Sequence, residues 1–255
     1  MDLDTILGRK VLTSAKINDI WVPANQFGAV LQRFSEPALF HNPGYLDFDL
    51  SHVGTVAKIK YRRRYFGLLC AHQGRQFEFE QMCLPASDSG QFISSNGCHY
   101  VNSNAFGEDI FDCRLYDFSE AVADNSLDSK GWFDLSKENN LKSSLAPNLL
   151  VSIGHPFAST RLKFDPKHLE CRPYEVIGQP VESSIANRKA LKLASPIEFE
   201  PDGFSGSPVF GVYVSESSIS VLFEGIVTNA NRSVFNYTSR KTIDEYIDQL
   251  SKDQP

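Results

Sequence analysis

The chain has 255 residues, 42% hydrophobic, 22% charged and 12% aromatic, which is an ordinary globular composition with length for one large domain or two small ones. A net charge of −6 argues against nucleic acid as the main ligand, because phosphate binding needs a basic surface. Residues 1–19 lack a basic segment leading into an apolar one, and no stretch offers the ~18 apolar residues that cross a bilayer, so neither a secretory signal nor a membrane association is read.

Five cysteines (Cys70, Cys83, Cys98, Cys113, Cys171) form no CxxC pair and are odd in number, which points away from a disulfide framework or a zinc site. A reducing cytoplasm is the simplest location, and there the sequons at Asn231 and Asn236 carry no meaning. The basic run Lys58, Lys60, Arg62, Arg63 and Arg64 reads as a solvated strand and hairpin.

Sixteen glycines and thirteen prolines, spread along the chain, suit short strands separated by turns. Residues 54–61 alternate after Val56 and predict a strand; 65–70 form a continuous apolar run that predicts a buried one. The alternation in 76–80 predicts a half-buried strand. Residues 121–145 are polar, lack strand periodicity and read as a connection between two β units. Further strands are predicted over 149–153, 209–214 and 219–227, the last two joined by the polar turn 215–218. From Arg240 to Lys252, Ile243, Tyr246, Ile247 and Leu250 recur at helical spacing. Strands followed by one terminal helix indicate an all-β barrel or sandwich, and no internal repeat is visible.

Chemistry concentrates in Asp202-Gly203-Phe204-Ser205-Gly206-Ser207-Pro208. A serine between glycines, ahead of an apolar strand, leaves main-chain N–H groups uncovered, and those of Gly203 and Ser205 are the expected oxyanion donors. The bland alternative is a turn between strands. Serine needs a base, and among six histidines only His72 directly follows an apolar strand. The acid that orients the imidazole is sought in 108–118, where Asp112 is favoured over Asp109 because a core-facing strand follows it. The order His72, Asp112, Ser205 is that of chymotrypsin, and a strand after Ser205 excludes the strand-turn-helix elbow of α/β-hydrolases.

These motifs resemble those of trypsin-like (chymotrypsin-fold) serine peptidases, in particular intracellular bacterial and viral-type members. Leu68-x-x-Ala71-His72 is similar to the setting of the family's base. Gly203-x-Ser205-Gly206-Ser207-Pro208 is similar to that of its nucleophile. The 151–156 segment resembles a Gly-[Tyr/Phe]-Pro turn, and Gly225, Ile226 and Val227 resemble the strand that pairs with the substrate backbone.

The resemblance spans roughly Trp21 to Leu250. It implies two antiparallel Greek-key β-barrels with the active site between them and a C-terminal helix. Residues 1–18 would then be an extension and 19–130 a barrel carrying His72 and Asp112. Residues 131–145 would connect to a barrel, 146–255, carrying Ser205. It further implies hydrolysis of a protein or peptide substrate through an acyl-enzyme, with no metal or organic cofactor.

The same resemblance places the specificity pocket at Phe199, Glu200 and Phe204. Phe199 at the floor suits a small or apolar side chain, whereas Glu200 or Asp202 pointing inward selects Lys or Arg. Three departures stand out. No cysteine stands directly after His72, Arg114 occupies a position where the family prefers a small residue, and Phe204 replaces the aspartate that activatable zymogens pair with a new N-terminus. Activity without processing follows, unless a partner protein or ligand orders the site. An inactive binding module on the same fold, or an esterase or acyl transferase using the same triad, is the alternative.

Overall fold

The computed structural model describes residues 14–44, 49–86, 91–100, 112–136, 146–164, 167–215 and 218–252. In the first half, β3 (Ser35–His41), β4 (Leu50–Tyr61) and β5 (Arg64–Leu69) form a meander. β6 (Met82–Pro85) returns to β3, and β9 (Arg114–Asp117) pairs with β5. Between them β7 (Phe92–Ser94) pairs with β6 and β8 (Gly97–His99) with β9, so Ser95 and Asn96 break what is topologically one strand. The sheet therefore curls into a half-barrel.

The second half closes fully. β11 (Leu149–Gly154), β14 (Tyr174–Glu182), β15 (Lys189–Leu193), β18 (Val234–Ser239), β17 (Ile219–Ala230) and β16 (Pro208–Val214) pair in that order, and β16 returns to β11. Both halves follow one Greek-key path, in which the third strand pairs with the last rather than the next. That repeat lies in topology alone, and the sequence does not display it. The hairpin β12 (Thr160–Phe164) and β13 (Lys167–Cys171) projects between β11 and β14.

Three sequence expectations are corrected. The alternating 76–80 segment is no strand: it is irregular, with a 3₁₀ turn at Phe79–Gln81, and Phe77 stacks on Phe40 at 4.5 Å. One aromatic contact fixes it where a ladder was expected. Residues 14–23, divided between an extension and the first unit, instead form the hairpin β1 (Ser14–Ile17) and β2 (Ile20–Pro23), and β1 adds in parallel to β17 of the second sheet. β10 (Phe133–Asp134), inside the expected connection, pairs with β4, because Phe133 is buried against Phe34 (5.2 Å) and Phe210 (5.3 Å).

One apolar cluster spans both halves: Ala57, Ile59, Leu68 and Phe133 from the first pack with Val151, Phe210, Phe223 and Ile226 from the second. The helix Arg240–Lys252 seals it with Ile243, Tyr246 and Ile247, and Tyr246 Oη donates to His99 O at 2.8 Å. Among the described residues no helix is long and apolar enough to cross a membrane. The basic run is locally neutralised: Lys58 meets Glu36 (2.9 Å), Lys60 meets Asp134 (3.2 Å) and Arg64 meets Asp117 (2.6 Å).

Arg62 and Arg63 form the two-residue turn between β4 and β5, with φ of 47° and 72°. Such turns require left-handed backbone at both positions, which favours Asn-Gly and strains side-chain-bearing residues by roughly 1 kcal/mol or more each. Arg62→Asn with Arg63→Gly is therefore expected to stabilise the chain by about 1 kcal/mol after loss of the Arg62–Tyr61 ring contact. A urea midpoint that rises at constant m-value checks this, and an unchanged midpoint contradicts it.

Candidate active site

β5 ends at Leu69, and the chain turns at once into a 3₁₀ turn, Ala71–Gln73. His72 therefore stands on a rigid strand end with its side chain 44% exposed. Asp112, just before β9, lies across from this turn: its carbonyl accepts the Ala71 N–H (3.1 Å) and its Oδ1 accepts the His72 N–H (3.2 Å). Oδ2 lies 2.9 Å from His72 Nδ1. A carboxylate only accepts, so Nδ1 carries a proton, and in the neutral imidazole Nε2 then holds the lone pair. Asp112 holds a left-handed φ of 43° to reach this position. Asp109 lies outside the described residues. Arg114, unexpected in sequence, donates from Nη1 to Gly74 O (2.9 Å) and braces the His72 turn from β9.

The Ser205 turn is held from the other half. Gly203 and Gly206 have φ of 96° and 83°, and a Cβ at Gly206 would fall 1.9 Å from Thr55 O. Only glycine lets the loop lie this close to β4. Thr55, fully buried, donates its N–H to Ser205 O (2.9 Å) and its hydroxyl to Gly203 O (2.7 Å), and accepts the His155 N–H (2.8 Å). Gln73, beside His72, donates Nε2 to Ser205 O at 2.9 Å. The structure thus brings the His72 turn and the Ser205 turn onto one seam. Phe204 N–H donates to Pro201 O and Gly206 N–H to Val227 O, whereas among the described residues the N–H groups of Gly203 and Ser205 donate to no protein acceptor. The expected hydrogen bond between the Ser205 hydroxyl and His72 is not formed among the described residues.

Several expected substrate contacts are corrected. Phe204 is fully buried, packed on Phe235 (4.8 Å) and within 6.5 Å of Phe199, so it anchors the loop in the barrel interior and lines no pocket. Glu200 is exposed and paired with Arg232, so it does not point inward. Phe199 is half-buried against Tyr174 at 5.0 Å. Gly225 and Ile226 are buried and paired on both sides, with β16 and β18; Val227 is buried, pairs with β18, and on its other side accepts the Gly206 N–H and donates to Ser207 O, which leaves no free main-chain edge. Beyond a register shift at Thr228, Asn229 and Ala230 pair only with β18 among the described residues, so the open edge begins there. Sequence reading missed Thr55 and Gln73. The available signals were a hydroxyl inside an apolar strand and an amide directly after the histidine.

Cys70, His72 and Asp112 each offer a ligand atom within 4.8 Å of the others. Metal binding there is opposed by the thiol. Cys70 is buried, its Sγ donates to Val227 O (3.0 Å), and burial pushes its pKa well up, while His72 Nδ1 already serves Asp112. All five cysteines are free thiols.

The fold has counterparts among solved structures. Human heparin-binding protein is 15% identical over 88% of this chain and 93% of its own, with a TM-score of 0.53, and a mutant of it scores 0.52 at 16% identity over the same shares. The protease Anisep from Arthrobacter nicotinovorans is 13% identical over 87% of this chain and 96% of its own, with a TM-score of 0.51. The chain therefore has the chymotrypsin fold. No protein-family model and no curated protein matches it.

Two further histidines line the seam. His155 is buried, and burial lowers its pKa from 6.5 to about 4. His52 is lowered to about 4 by burial as well; its Nε2 donates to Gly54 O (2.8 Å) and its Nδ1 accepts from Thr160 Oγ1 (3.2 Å). Both folded values are depressed, so the unfolded chain binds these protons first as pH falls. Stability is then complete above pH 6.5 and declines between 6.5 and about 4, by roughly 3 kcal/mol for each histidine. Asp117, held well below the ordinary range by His99, Ser119 and Arg64 despite its burial, loses its contribution only at more acid pH. Denaturant midpoints should fall over that upper window in the wild type and much less in a His52→Gln, His155→Gln variant. A wild-type midpoint that stays flat from pH 7 to 4.5 contradicts this.

Proposed function

We propose that the chain is a serine endopeptidase in which Ser205 attacks a peptide carbonyl, His72 is the general base and Asp112 orients and stabilises the imidazole. The observation that carries the reading is the His72–Asp112 contact at 2.9 Å on the same seam as a serine turn with two uncommitted N–H groups. In this mechanism His72 Nε2 takes the Ser205 proton as Oγ bonds to the carbonyl carbon. The N–H groups of Gly203 and Ser205 receive the oxyanion, and the imidazolium returns the proton to the leaving amine. Water then repeats the sequence to release the acid. Asp112 keeps the proton on Nδ1, the tautomer the base requires.

Phe204 supports activity without N-terminal processing, because apolar burial does what an ion pair does in zymogens. Free thiols suit an intracellular, reducing setting. The missing Ser205–His72 hydrogen bond is the specific observation behind a second reading, a binding module without catalysis.

A fluorophosphonate is expected to label wild type and not Ser205→Ala. Asp112→Asn, which leaves shape but favours the wrong tautomer, should lower kcat by about 10⁴-fold. Folded wild type that never labels selects the binding module, and labelling with ester but no peptide turnover selects an esterase.

A further inference from the structure

We infer that Gln73 is a positioning residue for the Ser205 reaction, an uncharged clasp between the base turn and the nucleophile turn; this rests on the reading of Ser205 as nucleophile. Gln73 is 7% exposed, and both amide hydrogens and the amide oxygen are engaged. Nε2 donates to Ser205 O (2.9 Å) and to Val53 O (3.1 Å), and Oε1 accepts the Cys70 N–H (2.9 Å). A flipped amide would set oxygen against two carbonyl oxygens, so the orientation is fixed. A Cβ at Gly54 would fall 2.0 Å from Nε2, and one at Gly206 would fall 2.9 Å from Oε1. Both glycines make room for this one side chain.

The chosen acceptor gives the residue its role. Ser205 O also receives the Thr55 N–H at 2.9 Å, so two donors pin the peptide plane that leaves the Ser205 Cα. That plane sets where Oγ stands relative to His72, the residue whose main chain continues into Gln73. A displacement near 1 Å in such a geometry costs on the order of a hundredfold in rate. No covalent link performs this task, since Cys70, Cys113 and the other cysteines are free thiols and the residue directly after His72 is Gln73.

Gln73→Met preserves length and removes every side-chain hydrogen bond, whereas Gln73→Glu keeps the acceptor for Cys70 but turns a carboxylate oxygen toward two carbonyls. Per folded molecule, both variants should lose about tenfold to a hundredfold in kcat with KM within about threefold. In Gln73→Glu the deficit should shrink toward acid pH, where the protonated carboxyl again donates to Ser205 O; a purely structural defect would not follow pH in this way. Wild-type and variant activity should survive thiol reductant equally. The inference is overturned if kcat per folded molecule stays within twofold of wild type, if the loss appears in KM alone, or if neither variant folds, which would make the residue structural. Folded wild type that neither labels nor cleaves would instead remove the nucleophile reading, independently of Gln73.

Discussion

Thr55 bonds across the seam through both its main chain and its side chain, and the geometry of the candidate site is referenced to it. Its hydroxyl lies in an otherwise apolar stretch of β4, where an unsatisfied polar group would cost roughly 1–3 kcal/mol. It escapes that cost by donating to Gly203 O and accepting from His155 N, and its N–H meets Ser205 O. A strand of the first half thereby fixes two peptide planes of a loop that belongs to the second. The close pass also explains the loop's composition: with Thr55 O where a Gly206 Cβ would be, no other residue fits there.

Hydrogen bonds of this kind hold position only if the two halves do not slide. Apolar packing prevents that. Phe34, Phe133, Phe210 and Phe223 form one ring cluster across the interface, and the helix Arg240–Lys252 and the β1–β2 hairpin each bind one half to segments distant in sequence. Burying such rings contributes on the order of 2 kcal/mol each. Close-packed interiors have low compressibility and transmit strain rather than absorbing it. A site made of loops from both halves can therefore be as precise as one built on a single strand.

The local parts of this design were legible in the sequence. The spacing of Ile243, Tyr246 and Ile247 marks the helix, and a histidine after an apolar strand marks the His72 turn. The glycines beside Ser205 mark the close turn. Each rests on contacts between near neighbours, which periodicity records. What stayed hidden depends on residues far apart in the chain. Nothing in residues 14–17 announces a parallel partner at Ile219, and nothing in Gln73 announces the carbonyl of Ser205. The polar-apolar rhythm of 76–80 misled because Phe77 satisfies it with a single ring stack. Gly225 to Val227 misled because apolar strands signal burial, and burial on both edges is incompatible with receiving a substrate strand.

Most main-chain polar groups around Ser205 have partners within the protein. Gly203 O and Ser205 O are taken by Thr55 and Gln73, Phe204 N–H by Pro201, and Phe204 O by the Ser207 N–H. Gly206 N–H goes to Val227 O, and Ser207 O accepts from Val227 N–H. The donors left over among the described residues are those of Gly203 and Ser205, the first of them on a buried residue. Folded chains rarely leave such groups unpaired, because each costs free energy that a different loop would recover. Here the donors flank a hydroxyl, and the loop is kept from relaxing by Phe204 in the barrel interior on one side and by Thr55 on the other. In the proposed reaction these two donors would meet the oxygen that gains negative charge beside the serine.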